Sequence, residues 1–158
     1  MKITRNTPEQ LIVGENPVWV AVLLVSMGMI FLGIGLSITL SGELMGLIFA
    51  AASLLPFSFL FIFVRRVQLI FEASKGTLTI QRKNLRAATT VVHDLTDVQG
   101  AELETSHGDN SRLYRVTLVL TGQSAGRHPI TQAYSNVGNH QGVHDAINAW
   151  LDSLRART

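Results

Sequence analysis

Between Val18 and Val64 the chain carries one charged side chain, Glu43, in 47 consecutive residues. No other feature narrows the possible folds as much. A water-soluble domain places polar residues on the outer face of each helix and strand, and a run this long and apolar leaves no such face. Across all 158 residues only 15% are charged. The apolar excess lies in residues 17–64, while residues 67–158 have an ordinary water-soluble composition.

Glu43 divides the run into two pieces. Pro17–Leu40 has 24 uncharged residues and Leu44–Val64 has 21. Each matches the roughly 20 residues that a helix needs to cross a hydrocarbon core about 30 Å thick. Backbone polar groups in lipid must be satisfied within the segment, so both pieces are expected to be helical despite their β-branched residues. Ser41-Gly42-Glu43 is then the turn of a two-helix transmembrane hairpin, and the lone carboxylate is a loop residue at a water-facing tip. A secretory signal peptide starting at Lys2 and Arg5 does not fit. The apolar run far exceeds a signal core of roughly 7–15 residues, and no small-x-small cleavage site precedes Glu43.

Basic residues flank the hairpin at Lys2 and Arg5 before it and at Arg65 and Arg66 after it, with none in the turn. By the positive-inside rule both termini face the cytoplasm, which makes residues 1–16 a cytoplasmic N-terminal segment. Trp19 is placed as an interfacial anchor. Gly42, Gly46 and Ala50 recur at four-residue spacing, as do Gly33 and Ser37. Small residues on one helical face allow close helix approach, within the hairpin or against a partner subunit. Pro56 is expected to kink the second span.

Beyond Arg66 the pattern changes to short β-type runs. "VQLIFEA", the turn Ser74-Lys75-Gly76 and "TLTIQR" read as a hairpin. "ATTVVHDL", "DVQGAELET" and "RLYRVTLVLT" are further strands, the last bracketed by turns at Gly108-Asp109-Asn110 and Gly122–Gly126, and "RHPITQAY" follows. Val143, Ala146, Ile147, Trp150, Leu151 and Leu154 then fall at spacings of three and four, on one face of a C-terminal amphipathic helix with Asn139 as its N-cap.

A two-span hairpin ending in Arg65-Arg66, the strand pair through "FEASKGTLTIQRK", the segment "VVHDLTDVQGAELE" and "YRVTLVL…HPITQAYSN" leading into the helix together resemble the bacterial PH-like domain proteins of the inner membrane. His93 and Asp94 stand where that family commonly has proline. The resemblance implies a membrane α-helical hairpin (17–40 and 44–64) plus an α+β soluble domain at 67–158. In that domain an antiparallel PH-like β-sandwich or barrel is closed by one C-terminal amphipathic helix. It implies location in the bacterial inner membrane, and binding or scaffolding rather than chemistry.

The absence of cysteine excludes disulfides, thiolate metal sites and cysteine nucleophiles. No phosphate-binding loop or nucleophile elbow is present, and Asp94 and Asp97 read as turn residues. His140 and His144 share a helix face at a spacing suited to a metal pair, but a metal site would need a third ligand such as His128 or Asp145, and they read first as solvent-facing helix-start residues. Arg65, Arg66, Lys75, Arg82, Lys83 and Arg86 are six of the 13 basic residues, gathered in 22 positions against one acid, Glu72. They are a candidate surface for anionic lipid or a partner. Balanced charge elsewhere and the absence of an aromatic-basic platform argue against nucleic acid.

The function that follows is a non-catalytic accessory or assembly subunit of a larger membrane complex, such as an energy-transducing one. It needs no cofactor and no small-molecule substrate, and its partners are membrane lipids and other membrane-protein subunits. One alternative is a membrane-anchored PH-like module that binds anionic headgroups or a peptide. The other is a haem or metal protein using His140 and His144.

Overall fold

The structure is a computed structural model that describes residues 1–84, 87–107, 112–131 and 134–157. The chain forms two compact units. One comprises Met1–Glu15, Val67–Arg82 and Thr89–Thr158, and the other Asn16–Arg66 with Lys83–Ala88.

In the first unit a five-stranded antiparallel sheet runs in chain order: β1 (Lys2–Asn6), β2 (Gln10–Glu15), β3 (Arg66–Glu72), β4 (Thr77–Lys83) and β5 (Ala88–Asp94). A second sheet is formed by β6 (Val98–His107), β7 (Arg112–Leu120) and β8 (Gly126–Pro129). The two are separate and do not close into a barrel. The helix α4 (His140–Arg155) follows. Its expected N-cap is present, with Asn139 Oδ1 accepting the Gly142 N–H at 2.9 Å.

Alternation decides which strand residues are buried. Leu11 and Val13 of β2, Leu69 and Phe71 of β3, and Leu78 and Ile80 of β4 point to one face. They form a single core with Val98, Ala101, Val116, Leu118 and Leu120 of the second sheet and with Val143, Ile147, Trp150 and Leu151 of α4. The Phe71 and Trp150 rings lie 5.8 Å apart, and Trp150 Nε1 donates to the Thr7 carbonyl at 2.8 Å. Asn148 ties α4 to β6, accepting the Ala101 N–H at 2.8 Å and donating to the Ala101 carbonyl at 3.0 Å.

Residues 1–15 depart from the reading as a segment set apart from the domain at 67–158. They are two strands of its sheet, β2 pairing with β3 from Gln10↔Glu72 to Glu15↔Val67. The alternation Leu11, Val13 was the available signal, outweighed by the neighbouring apolar run.

In the second unit α1 (Val18–Leu40) is the one described helix long and apolar enough to cross a membrane. Most of its side chains project outward, with Trp19 86% and Leu40 87% exposed, while Leu24, Gly28 and Gly35 are buried. The turn after it forms as expected. Gly42, at φ +90°, donates to the Thr39 carbonyl at 3.0 Å, and Glu43 donates to the Ile38 carbonyl at 3.3 Å. That is the paired closure of a glycine-terminated helix.

The expected second span is helical but not continuous. α2 (Met45–Ala52) and α3 (Leu54–Phe63) are separated at Ser53. Pro56 explains the position of the break: it has no N–H for the Ala52 carbonyl, so it sits in the first turn of a new helix, where a missing donor costs nothing.

Candidate functional site

The closest approach in the apolar hairpin lies between α1 and α2. A Cβ built on Gly35 would meet Ala50 N at 2.5 Å and the Gly46 carbonyl at 2.8 Å, and one on Gly46 would meet the Gly35 carbonyl at 2.5 Å. Only hydrogen fits there. Further along α1, Gly28 faces the Phe57 ring of α3, 2.8 Å from such a Cβ. Of the small residues singled out from sequence, Gly46 and Ala50 lie in this contact. Gly42 is instead a turn residue, and nothing lies within 4 Å of a Cβ at Gly42 or Gly33. Ser37 is exposed and its carbonyl accepts the Ser41 hydroxyl at 3.1 Å. Gly28 and Gly35 lie seven residues apart, two helical turns, and so fall outside the four-residue repeat of small residues visible in the sequence.

Strand direction sorts the basic residues. β3 starts at Arg66, next to the exit of the helices, and the turn at Ala73–Gly76 sends β4 back so that Arg82 and Lys83 return to that end. Lys2 joins them, paired with Gly14. Lys75 does not belong to this group. It sits on the distal turn and pairs with Glu72 at 2.8 Å, so the expected single surface from Arg65 to Arg86 divides. Arg65, Arg66, Arg82 and Lys83 are exposed, with Arg82 also donating to the Pro129 carbonyl at 3.2 Å. Arg86 and the turn Gly108-Asp109-Asn110 lie outside the described residues.

The histidine pair is turned to other work. His140 is 3% exposed rather than solvent-facing, and its Nε2 donates to the Val137 carbonyl at 3.1 Å. His144 places Nδ1 2.8 Å from Asp145 Oδ1 and Nε2 3.1 Å from the Asn148 amide. The Asn148 amide donates, so Nε2 accepts and Nδ1 carries the proton given to Asp145. That bond, with a second from Gln141, holds the Asp145 carboxyl below its usual range. Among the described residues no three histidine or acidic side chains gather as a metal site.

The strongest polar cluster lies on β6 and β7. Arg115 Nε donates to Glu104 at 3.0 Å, the Tyr134 hydroxyl donates to the same carboxylate at 3.0 Å, and the Arg115 guanidinium lies 4.3 Å from the centre of the Tyr134 ring. The Arg115 bond holds the Glu104 carboxyl below its usual range. Beside it Arg127 pairs with Glu102. These ions satisfy one another across neighbouring strands, which is structural work. Compared with known proteins, the chain matches no protein-family model and no curated protein sequence.

Proposed function

We propose that this chain is a non-catalytic integral membrane protein that crosses the bilayer twice and serves as an accessory or assembly subunit of a larger membrane complex. The observation that carries the reading is the strand register. β2 and β3 are hydrogen-bonded neighbours with Glu15 opposite Val67, so everything from residue 16 to residue 65 is an excursion that leaves the sheet and returns beside its own starting point. A chain crossing once would emerge on the opposite face, where that pairing is impossible. If α1 crosses, Met45–Phe63 is the return crossing.

The placement of charge sets the orientation. Lys2, Arg65 and Arg66 flank the excursion and Glu43 lies at its tip, which supports the reading that both termini and the sheet domain face the cytoplasm beneath a bacterial inner membrane. Antiparallel strands followed by one amphipathic helix support the PH-like reading, with the difference that two strands precede the hairpin. The accessory role is supported by the outward apolar surface of the helices, including Leu23, Ile30, Leu36, Leu47 and Leu54, and by the structural use of His140, His144, Asp145 and Glu104.

The chain has no cysteine, so single cysteines report topology directly. Glu43→Cys should react with an impermeant maleimide in intact spheroplasts, and Thr79→Cys only after permeabilisation. Labelling of both from one side would sink the two-crossing reading. Gentle extraction followed by native electrophoresis tests the role: a stoichiometric larger complex is expected, and a lone monomer would overturn it.

A further inference from the structure

We propose that the end of the five-stranded sheet from which the helices depart rests on anionic phospholipid headgroups through Lys2, Arg66, Arg82 and Lys83. The inference rests on the membrane-hairpin reading and deepens it by naming what that sheet end touches.

The first support is reach. Only Asn16 and Pro17 separate β2 from α1, and only Val64 and Arg65 separate α3 from β3. Linkers of two residues hold the sheet end within about 10 Å of the helix ends. The headgroup layer beyond the hydrocarbon is about 5–8 Å deep on each side. A sheet tethered this closely at two adjacent strands has its end in or against that layer.

The second support is charge polarity along the strands, which the register fixes. At the departing end lie Lys2, Arg65, Arg66, Arg82 and Lys83 against Glu15. At the far end the Ala73 N–H donates to the Glu9 carbonyl and the Leu95 N–H to the Gly76 carbonyl. These bonds gather Glu9, Glu72 and Asp94 there against Lys75, which pairs with Glu72, and Arg5, which donates to Gln10 Oε1 at 2.9 Å. A domain turned the other way would present carboxylates to an anionic surface. The polarity therefore selects negatively charged lipid over zwitterionic lipid, each cation near the surface changing the equilibrium by roughly fivefold.

The test uses the full chain reconstituted into nanodiscs of phosphatidylcholine alone or with one-third phosphatidylglycerol, and reads amide hydrogen exchange in β1 and β4. Exchange should be slower in the anionic discs by about tenfold or more. The difference should vanish in 1 M salt, where the screening length falls to about 3 Å. Lys2→Gln/Arg82→Gln/Lys83→Gln, which keeps Arg65 and Arg66 as orientation signals, should lose the difference, and Lys75→Gln should keep it. Equal exchange in both discs, or a Lys75→Gln effect as large as that of the triple variant, overturns the proposal. A chain that does not enter discs at all overturns the hairpin reading itself, a separate and recognisable failure.

Discussion

Gly35 has a Cβ-sized space already filled by the Ala50 backbone, and Gly33, two residues earlier, has open space. The pair makes a controlled comparison. Gly35→Leu forces two helix backbones apart and should destabilise the hairpin by about 3 kcal/mol or more, while Gly33→Leu should leave it unchanged. Unfolding in mixed micelles measures both. In the sheet domain Asn148→Ala leaves the Ala101 N–H and carbonyl without their side-chain partner and should cost about 1–3 kcal/mol in a thermal or denaturant melt. Glu104 carries a pH dependence. Its carboxyl is held below the usual range by Arg115. Its contribution is therefore complete above the unfolded value of about 4.3 and is lost as pH falls through the lower folded value. Glu104→Gln should flatten that acid limb of the stability profile.

At the scale of elements, the second half of the apolar hairpin shows how one residue sets a boundary. The break at Ser53 lies three residues before Pro56, where the carbonyl of Ala52 would otherwise receive the missing N–H. Pro56→Ala restores the donor, so α2 and α3 should fuse into one helix over Met45–Phe63, read as slowed amide exchange at residues 54–57. The C-terminal helix was the most legible element, because four of the six apolar positions that share its face, Val143, Ile147, Trp150 and Leu151, are buried, with Ala146 and Leu154 half-buried beside them. The first two strands were the least legible. They are five and six residues long, and β1 is exposed along its whole length, leaving no alternation to read.

For the whole molecule the register of β2 with β3 makes the helices an insertion in a β-hairpin. Replacing residues 16–66 by Asn-Gly joins Glu15 to Val67 with a two-residue turn suited to neighbouring antiparallel strands. The product should be a soluble monomer with a cooperative melt and the sheet domain's circular dichroism. Aggregation, or a non-cooperative melt, would mean that the sheet depends on the helices.

The sequence alone determined the apolar hairpin, its turn and the strand-then-helix order of the later residues. Each of these depends on hydrophobic periodicity or on residues close together in the chain. It did not determine which strands neighbour one another. That pairing brings residues 15 and 67 together and Lys2 beside the end where Arg66 and Arg82 meet, while sending Lys75 to the opposite end. It likewise selected Gly35 and Gly46 over Gly33 and Gly42 as the close contact. Register, strand order and the rotation of one helix against another are fixed by contacts between segments far apart in the chain. Only the folded arrangement, in which those segments exclude one another's volume and share hydrogen bonds, decides them.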